Sequence, residues 1–174
     1  MTASTGVLVS LTRQMAEDIG ESACPSQAQL ERWYQAACPH VSALQACSQP
    51  GLTVRFVSGG ESRQLNATYR GKDKPTNVLS FPGVFAELPE ALLAELEPSE
   101  RDYLGDLAIC PAVVAQEAKT QDKPLDNHYC HLFIHGLLHL MGYDHQTPEQ
   151  AEPMEALETT ILADLGLPNP YQPQ

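Results

Sequence analysis

The sequence predicts one domain in which strands and helices are interleaved, in an α+β or α/β order. At 174 residues the chain fits a single domain. Short runs that alternate apolar and polar residues, as half-buried strands do, are separated by segments with apolar residues at helical spacing. The hydrophobic content of 43% and the charged content of 18% are those of an ordinary globular protein. We therefore expect one packed core without disulfide support.

Strand signals occur in four segments, which are residues 7–11, 52–57, 77–81 and 104–110. The second segment alternates apolar and polar residues and is followed by Gly59-Gly60, which we expect to end it. The third is rich in β-formers and stops at Pro82-Gly83. In the fourth, the alternation places Leu107 and Ile109 on one face and Asp106 and Ala108 on the other.

Helix signals occur in five segments, which are residues 26–37, 61–69, 111–120, 125–141 and 147–165. Ser26 is a suitable N-cap for the first, and Gly71 breaks the chain after the second. Gly142 follows the fourth as a C′ glycine does. The fifth opens with Thr147-Pro148-Glu149-Gln150, which has the form of a capping box with proline at the first helical position.

Two segments fall outside this pattern. Residues 84–102 are strongly acidic and predict a partly helical surface insertion with a solvated face, and Arg101 is their single basic residue. The tail, residues 168–174, is predicted to be loose. The whole chain, residues 1–174, is predicted to form one domain that includes both segments.

Location and cysteine usage set further bounds. The start of the chain lacks a basic segment followed by an apolar run, and no run of about 18 apolar residues occurs, so we expect neither a signal peptide nor a membrane span, and a cytoplasmic location. The five cysteines are odd in number and form no C-x-x-C pair. This argues against a disulfide framework and a thiolate zinc site, and favours small buried side chains.

The net charge of −12 weakens the case for a nucleic-acid partner, because phosphate binding usually needs a basic surface. The distribution of charge matters more than the sum. Half of the ten basic residues lie within twenty positions, and they are Arg55, Arg63, Arg70, Lys72 and Lys74. A local basic patch is therefore still expected on an acidic protein.

The unusual feature of the fourth helix is its density of histidines. Residues four apart lie about 40° apart around a helix, so His135 and His139 can reach one metal ion. Gly142 then turns the chain, which lets His145 return as a third ligand. Three imidazoles leave the fourth tetrahedral position of Zn²⁺ to water, as in a catalytic site. Zinc lowers the pKa of that water to about 7 and so supplies a nucleophile.

Other residues near this helix have less defined roles. For His131, one turn earlier, we expect a supporting or packing role rather than ligation. His128 and His40 belong to no motif and are taken as ordinary histidines. Asp144 or Asp106 would orient a ligand or the water, although a capping or turn role for Asp144 is equally open.

The H-E-x-x-H motif of zincin proteases has a glutamate as general base after its first histidine. Gly136 occupies that place in this chain, which disfavours a peptidase that uses this glutamate.

Two long motifs give the chain a resemblance to a known family. Residues 135–145 read HGLLHLMGYDH and resemble the H-G-x-L-H-L-x-G-Y-D-H signature of the YbeY family, while residues 66–82 resemble its N-x-x-Y-R-x-x-D-x-P-T-N-V-L-S-F-P block. Residues 104–109 and 154–158 also match. The resemblance covers residues 52–171, without the acidic insertion.

The resemblance implies an α+β fold, with a small mixed sheet, surrounding helices and a metal site on the central histidine-bearing helix. It implies a single-strand-specific, zinc-dependent endoribonuclease that matures small-subunit ribosomal RNA and takes part in ribosome quality control. One Zn²⁺ would be held by His135, His139 and His145, with Arg70 at the active site clamping a phosphate. Lys72 and Lys74 would extend this anion site.

The expected partners are single-stranded ribosomal RNA and the small ribosomal subunit or its associated proteins, without DNA or membrane. Two alternatives stay open. The chain would be a zinc hydrolase of another bond, such as an amide, or a non-catalytic ribosome assembly factor with a structural zinc. A fourth protein ligand on the zinc would favour the structural role, and an open water position would favour the enzyme.

Overall fold

A computed structural model describes residues 9–20, 23–47, 50–83, 88–144 and 146–171, with the side chains of residues 98 and 99 left out. Its centre is a mixed four-stranded sheet formed by β1 (Ser10–Met15), β2 (Gly51–Phe56), β3 (Val78–Pro82) and β4 (Tyr103–Ile109). The strand order is β1-β2-β4-β3. Strand β2 runs parallel to both β1 and β4, and β3 pairs antiparallel with β4 at the edge. The predicted α+β class with a small mixed sheet is confirmed.

Eight α-helices are found in the described ranges, namely α1 (Gln27–Ala37), α2 (Ser42–Gln45), α3 (Gly59–Arg70), α4 (Glu90–Leu93), α5 (Pro98–Arg101), α6 (Pro111–Thr120), α7 (Leu125–Leu140) and α8 (Pro148–Asp164). The predicted caps are confirmed. Ser26 and Thr147 each form a complete capping box, at the starts of α1 and α8. Gly71 ends α3 in the left-handed conformation that glycine adopts without strain.

The two faces of the sheet carry different helices. On one face lies the larger core, which includes Leu107 and Ile109 of β4 together with buried residues of α1, α7 and α8. On the other face, Leu79 and Ala108 pack with Leu65 of α3 and Val113 of α6. The alternation predicted along β4 is therefore correct. Helix α7 is the most deeply placed, because ten of its residues are buried and only one face meets the solvent.

Two predicted boundaries need correction. The first strand begins at Ser10 and runs to Met15, so it overlaps the predicted segment only at residues 10 and 11, and residues 7 and 8 lie outside the described part. The glycine pair does not end a strand. It begins α3, because Ser58 accepts a hydrogen bond from the Glu61 backbone N–H at 3.2 Å and so caps the helix.

The acidic segment is only partly the solvated surface that composition predicts. It contains α4 and α5, and residues 84–87 are not described. Asp102, however, is buried, with a 2% exposed surface. It directly precedes β4 and receives a hydrogen bond from Arg101 Nε at 3.1 Å, so its charge is partnered.

The cysteines and the helix lengths bear on two further expectations. Cys38, Cys47, Cys110 and Cys130 are buried free thiols, and Cys24 is partly exposed. Burial raises the pKa of Cys38 to about 11, so the thiol stays protonated at neutral pH. Among the helices described, none combines the length and the apolar character that crossing a bilayer requires.

Candidate active site

A cleft of about 900 Å³ opens between α7, the edge strand β3 and the last residue of α3. Its lining is rich in polar and ionisable side chains, which include Arg70, Glu117, His128, His131, His135, His139, Asp144 and Tyr171. Strand β3 contributes Ser80 and Phe81, and Ser80 Oγ donates to the Gly136 carbonyl oxygen at 3.2 Å. The edge strand is thereby joined to the histidine-bearing helix at the wall of the cleft.

The position of α7 explains why its histidines face the cleft. The helix buries its apolar residues against β3 and β4, so the histidines are left on the opposite side. His131, His135 and His139 are four residues apart and form a row about 12 Å long. All three are partly exposed and line the cleft.

His135 and His139 face each other in a way that suits a metal ion. The two Nε2 atoms lie 3.2 Å apart, and the rings are nearly perpendicular at 80°. Two nitrogen ligands at the usual zinc distance of about 2.0–2.1 Å lie about 3.3–3.4 Å apart across a tetrahedral ion. The observed separation is thus close to that required, and both donors are imidazoles, which suit zinc.

The other expected ligand, His145, lies outside the described residues, so its role stays a prediction. Asp144 lines the cleft, as a residue that orients a ligand or water would have to. Asp106, in contrast, is exposed on β4, where it accepts a hydrogen bond from the Tyr103 hydroxyl, and it does not line the cleft. Of the two aspartates considered from the sequence, only Asp144 lines the cleft.

A fully buried carboxylate supports the histidine row from behind. Glu158 of α8 is 0% exposed and accepts hydrogen bonds from His131 Nε2 at 2.6 Å and His135 Nδ1 at 2.9 Å. The Tyr171 hydroxyl donates to it at 2.6 Å. Burial alone would raise the pKa of Glu158, but these hydrogen bonds outweigh it and lower the pKa to about 2. Glu158 is therefore ionised at neutral pH.

Sequence reasoning did not assign a role to Glu158. The residue lies within a matching segment, but nothing local distinguishes it from the other glutamates of α8. The sequence feature that could have indicated its burial is its position four residues after Met154, on the helix face that packs inwards. His131, Glu158 and one nitrogen of His135 lie close enough to be considered a second metal-ligand set.

The basic residues of the motif are distributed unequally. Arg70 is exposed at the end of α3 and lines the cleft, and its role as a phosphate clamp stays a prediction. Lys72 and Lys74 lie exposed in the following loop, beyond the residues that form the cleft wall. Tyr69, which is 66% exposed, packs edge-on against Phe81 with ring centroids 5.0 Å apart. An aromatic ring thus stands beside Arg70 at the cleft.

His128 has more partners than its ordinary sequence context predicted. Its Nε2 lies 2.9 Å from Glu117 Oε1, and Asn77 Nδ2 donates to the same carboxylate at 3.0 Å. These three residues join α7, α6 and the residue before β3 at one end of the cleft. Because they hold the wall of the cleft together, we read them as a structural group.

The fold and the site fit the class of metal-dependent hydrolases, because paired imidazoles and an arginine line one polar cleft. Comparison with known proteins narrows this class. The family model described as "Endoribonuclease YbeY" matches residues 16–166. A protein of Halorhodospira halophila named "Endoribonuclease YbeY" is 51% identical over 146 residues, which cover 79% of this chain and 90% of the relative. The chain therefore belongs to the YbeY endoribonuclease family, and it is a hydrolase.

A solved structure supports the fold. The solution structure of a Thermotoga maritima protein covers 95% of this chain and 100% of its own, at a TM-score of 0.52 and 22% identity. At that identity the likeness concerns the fold alone.

Proposed function

We propose that this protein is a zinc-dependent endoribonuclease that cleaves single-stranded RNA, and that it acts in the cytoplasm on small-subunit ribosomal RNA during late maturation and ribosome quality control. Membership of the YbeY family supports the reaction class. The single observation that carries the proposal is the pair of Nε2 atoms of His135 and His139, 3.2 Å apart in the same cleft as Arg70.

His135, His139 and His145 would hold one Zn²⁺, with the first two arranged as neighbouring tetrahedral ligands. When bound, zinc supplies a Lewis acid that makes water a nucleophile near neutral pH. The protein's own part is to present the histidine pair on a rigid buried helix and to keep the cleft open to a polymer. Asp144 lines the same cleft and would orient a ligand or the water.

Arg70 would bind the phosphate that is cleaved. Its guanidinium offers several donors in a fixed plane, which suit two oxygens of a phosphodiester and offset the charge that develops during hydrolysis. Lys72 and Lys74 would bind neighbouring phosphates outside the cleft, since both are exposed on the adjacent loop. Such contacts would give a chain with a net charge of −12 a local basic surface for RNA.

The proposal is tested by incubating the zinc-loaded protein with single-stranded ribosomal RNA, with His139→Ala and Arg70→Ala preparations run beside it. Arg32→Ala, which changes an exposed arginine on α1, is the matched control. We expect cleavage to be lost in both site variants and retained in the control, because only the first two lose a group that faces the cleft.

Equal cleavage by all four proteins would show that the cleavage does not depend on His139 or Arg70 and would overturn the proposal. So would the absence of cleavage by well-loaded wild type, which would favour a ribosome assembly factor with a structural zinc. Release of product from an amide substrate, without RNA cleavage, would instead identify a zinc hydrolase of another bond.

A further inference from the structure

The burial of Glu158 requires an explanation that the proposed reaction does not provide. A carboxylate removed from water is costly unless it is fully hydrogen-bonded or paired. Glu158 is 0% exposed, does not line the cleft and lies behind the rings of His131 and His135. Its position between two histidines of another helix suggests that it acts on those rings rather than on a substrate.

The direction of the hydrogen bonds follows from the geometry at Glu158, whose two oxygens meet His131 Nε2, His135 Nδ1 and the Tyr171 hydroxyl, an arrangement that fits a carboxylate. An ionised carboxylate only accepts, so each partner must donate. The proton of a neutral His135 ring is therefore on Nδ1, and its lone pair is on Nε2, the atom that faces His139. The proton of a neutral His131 ring is on Nε2, so its lone pair is on Nδ1, which is buried and accepts no hydrogen bond from the residues described.

We propose that Glu158 is a positioning residue, which holds His135 in the Nδ1–H tautomer so that Nε2 can ligate the metal, and which keeps His131 out of the ligand set. This inference rests on the metal-binding part of the proposed function. Carboxylates that accept a hydrogen bond from a metal-bound histidine commonly orient the ring and raise its basicity. Tyr171 completes the arrangement by donating a third hydrogen bond to the buried carboxylate.

Distances favour this arrangement over direct ligation by Glu158. Two ligands of a tetrahedral zinc ion lie about 3.3–3.4 Å apart. The oxygen–nitrogen distances at Glu158 are 2.6 Å and 2.9 Å, which are hydrogen-bond lengths and leave too little room for an ion between the atoms. The His135–His139 separation of 3.2 Å is the one near the ligand spacing.

The first test measures tautomers in the wild-type protein and needs no variant to fold. Long-range proton–nitrogen correlation spectra of ¹⁵N-histidine protein, recorded without metal above pH 7, distinguish Nδ1–H from Nε2–H rings. We expect His135 as the Nδ1–H tautomer and His131 as the Nε2–H tautomer. After zinc is added, the His135 Nε2 resonance should shift while Nδ1 keeps its proton. An Nε2–H tautomer for metal-free His135 would overturn the inference.

The second test inverts the hydrogen bond. In Glu158→Gln the amide N–H₂ can donate to His135 Nδ1, which would move the ring proton to Nε2 and remove the metal-binding lone pair. We expect zinc affinity, measured by competition with a chromophoric chelator, to fall about 10–100-fold. Glu152→Gln, an exposed change on the same helix, is the matched control and should bind zinc as wild type does. Unchanged affinity in a folded Glu158→Gln protein would refute the role.

A third variant separates positioning from ligation. If His131 and Glu158 were ligands, His131→Gln would weaken zinc binding as severely as His139→Gln. We expect His139→Gln to lose far more affinity, and equal losses would contradict the inference. Failure of the proposed function would give a different result, because wild type itself would then bind no zinc or cleave no RNA. If wild type bound zinc and cleaved RNA, and Glu158→Gln did both equally well, only the positioning role would be refuted.

Discussion

Gly136 lies directly against Leu107, so that a Cβ atom at position 136 would be 2.9 Å from Leu107 Cδ2 and 3.3 Å from Val78 Cγ2. Position 136 therefore faces the sheet, whereas His135 and His139 face the cleft. A glutamate here would point into the core rather than towards water in the cleft. The close approach of α7 to β4 gives a physical reason for glycine where zincin proteases have their glutamate.

We expect Gly136→Ala to lower the free energy of unfolding by about 1–2 kcal/mol, because overpacking a tight contact outweighs the better helix propensity of alanine. Urea denaturation of the metal-free protein measures this. Gly60→Ala is the matched control, since an added Cβ there meets only Ser58 Oγ at 3.9 Å. The control should be as stable as wild type or slightly more so. A Gly136→Ala protein that matched it would show that α7 can move away from the sheet at no cost.

Asn66 fixes the loop that carries the two lysines. It is 1% exposed, and its Nδ2 donates to the Lys74 carbonyl oxygen at 2.8 Å. Asn66→Ala leaves this carbonyl without its partner, so we expect a loss of about 1–3 kcal/mol in stability and faster amide hydrogen exchange in residues 71–77. Gln64→Ala, an exposed change on the same helix, should alter neither quantity. Unchanged loop exchange in Asn66→Ala would mean that the Ser62–Thr76 hydrogen bonds suffice to hold the loop.

Tyr69 offers an exposed aromatic ring beside Arg70. A base stacked on such a ring gains about 1–3 kcal/mol, which corresponds to a factor of about 5–150 in affinity. We therefore expect Tyr69→Ala to weaken binding of single-stranded RNA by at least about fivefold, measured in a His139→Ala background, in which we expect no cleavage. Tyr69→Phe keeps the stacking face and should bind as the parent does. Equal binding by all three proteins would indicate that this ring serves only to pack on Phe81.

The two aspartates considered from the sequence should differ in their effect on RNA cleavage. Asp144 lines the cleft and Asp106 does not. We expect Asp144→Asn to slow single-turnover cleavage by about 10-fold or more, as loss of an orienting group does, and Asp106→Asn to leave the rate within about twofold of wild type. A large effect of Asp106→Asn, in a protein with normal stability, would contradict the boundaries assigned to the site.

The parts of the fold that depend on local signals could be predicted from the sequence. The capping residues Ser26 and Thr147 and the glycine after α3 act within a few residues of themselves, so their patterns are legible. The strand order β1-β2-β4-β3 depends on long-range pairing and has no such signal. The glycine pair was misassigned because its flexibility suggested a chain break, whereas the Ser58 cap decides the conformation.

The site likewise contains residues that the sequence predicts and residues that it does not. His135 and His139 could be paired from their spacing, because both lie on one helix face. Glu158 could not be, since it lies 23 residues from His135 and meets it only when α8 packs on α7. Hydrogen-bonding roles that depend on the docking of two helices leave no periodic pattern in the chain.

The hydroxyl of Tyr171 on Glu158 has a practical consequence for work with this protein. A residue near the end of the sequence is in contact with the carboxylate that supports the histidine row. Deletions that remove residue 171 would expose one side of a buried charge, so apparent losses of metal affinity in shortened proteins should be checked against Tyr171→Phe.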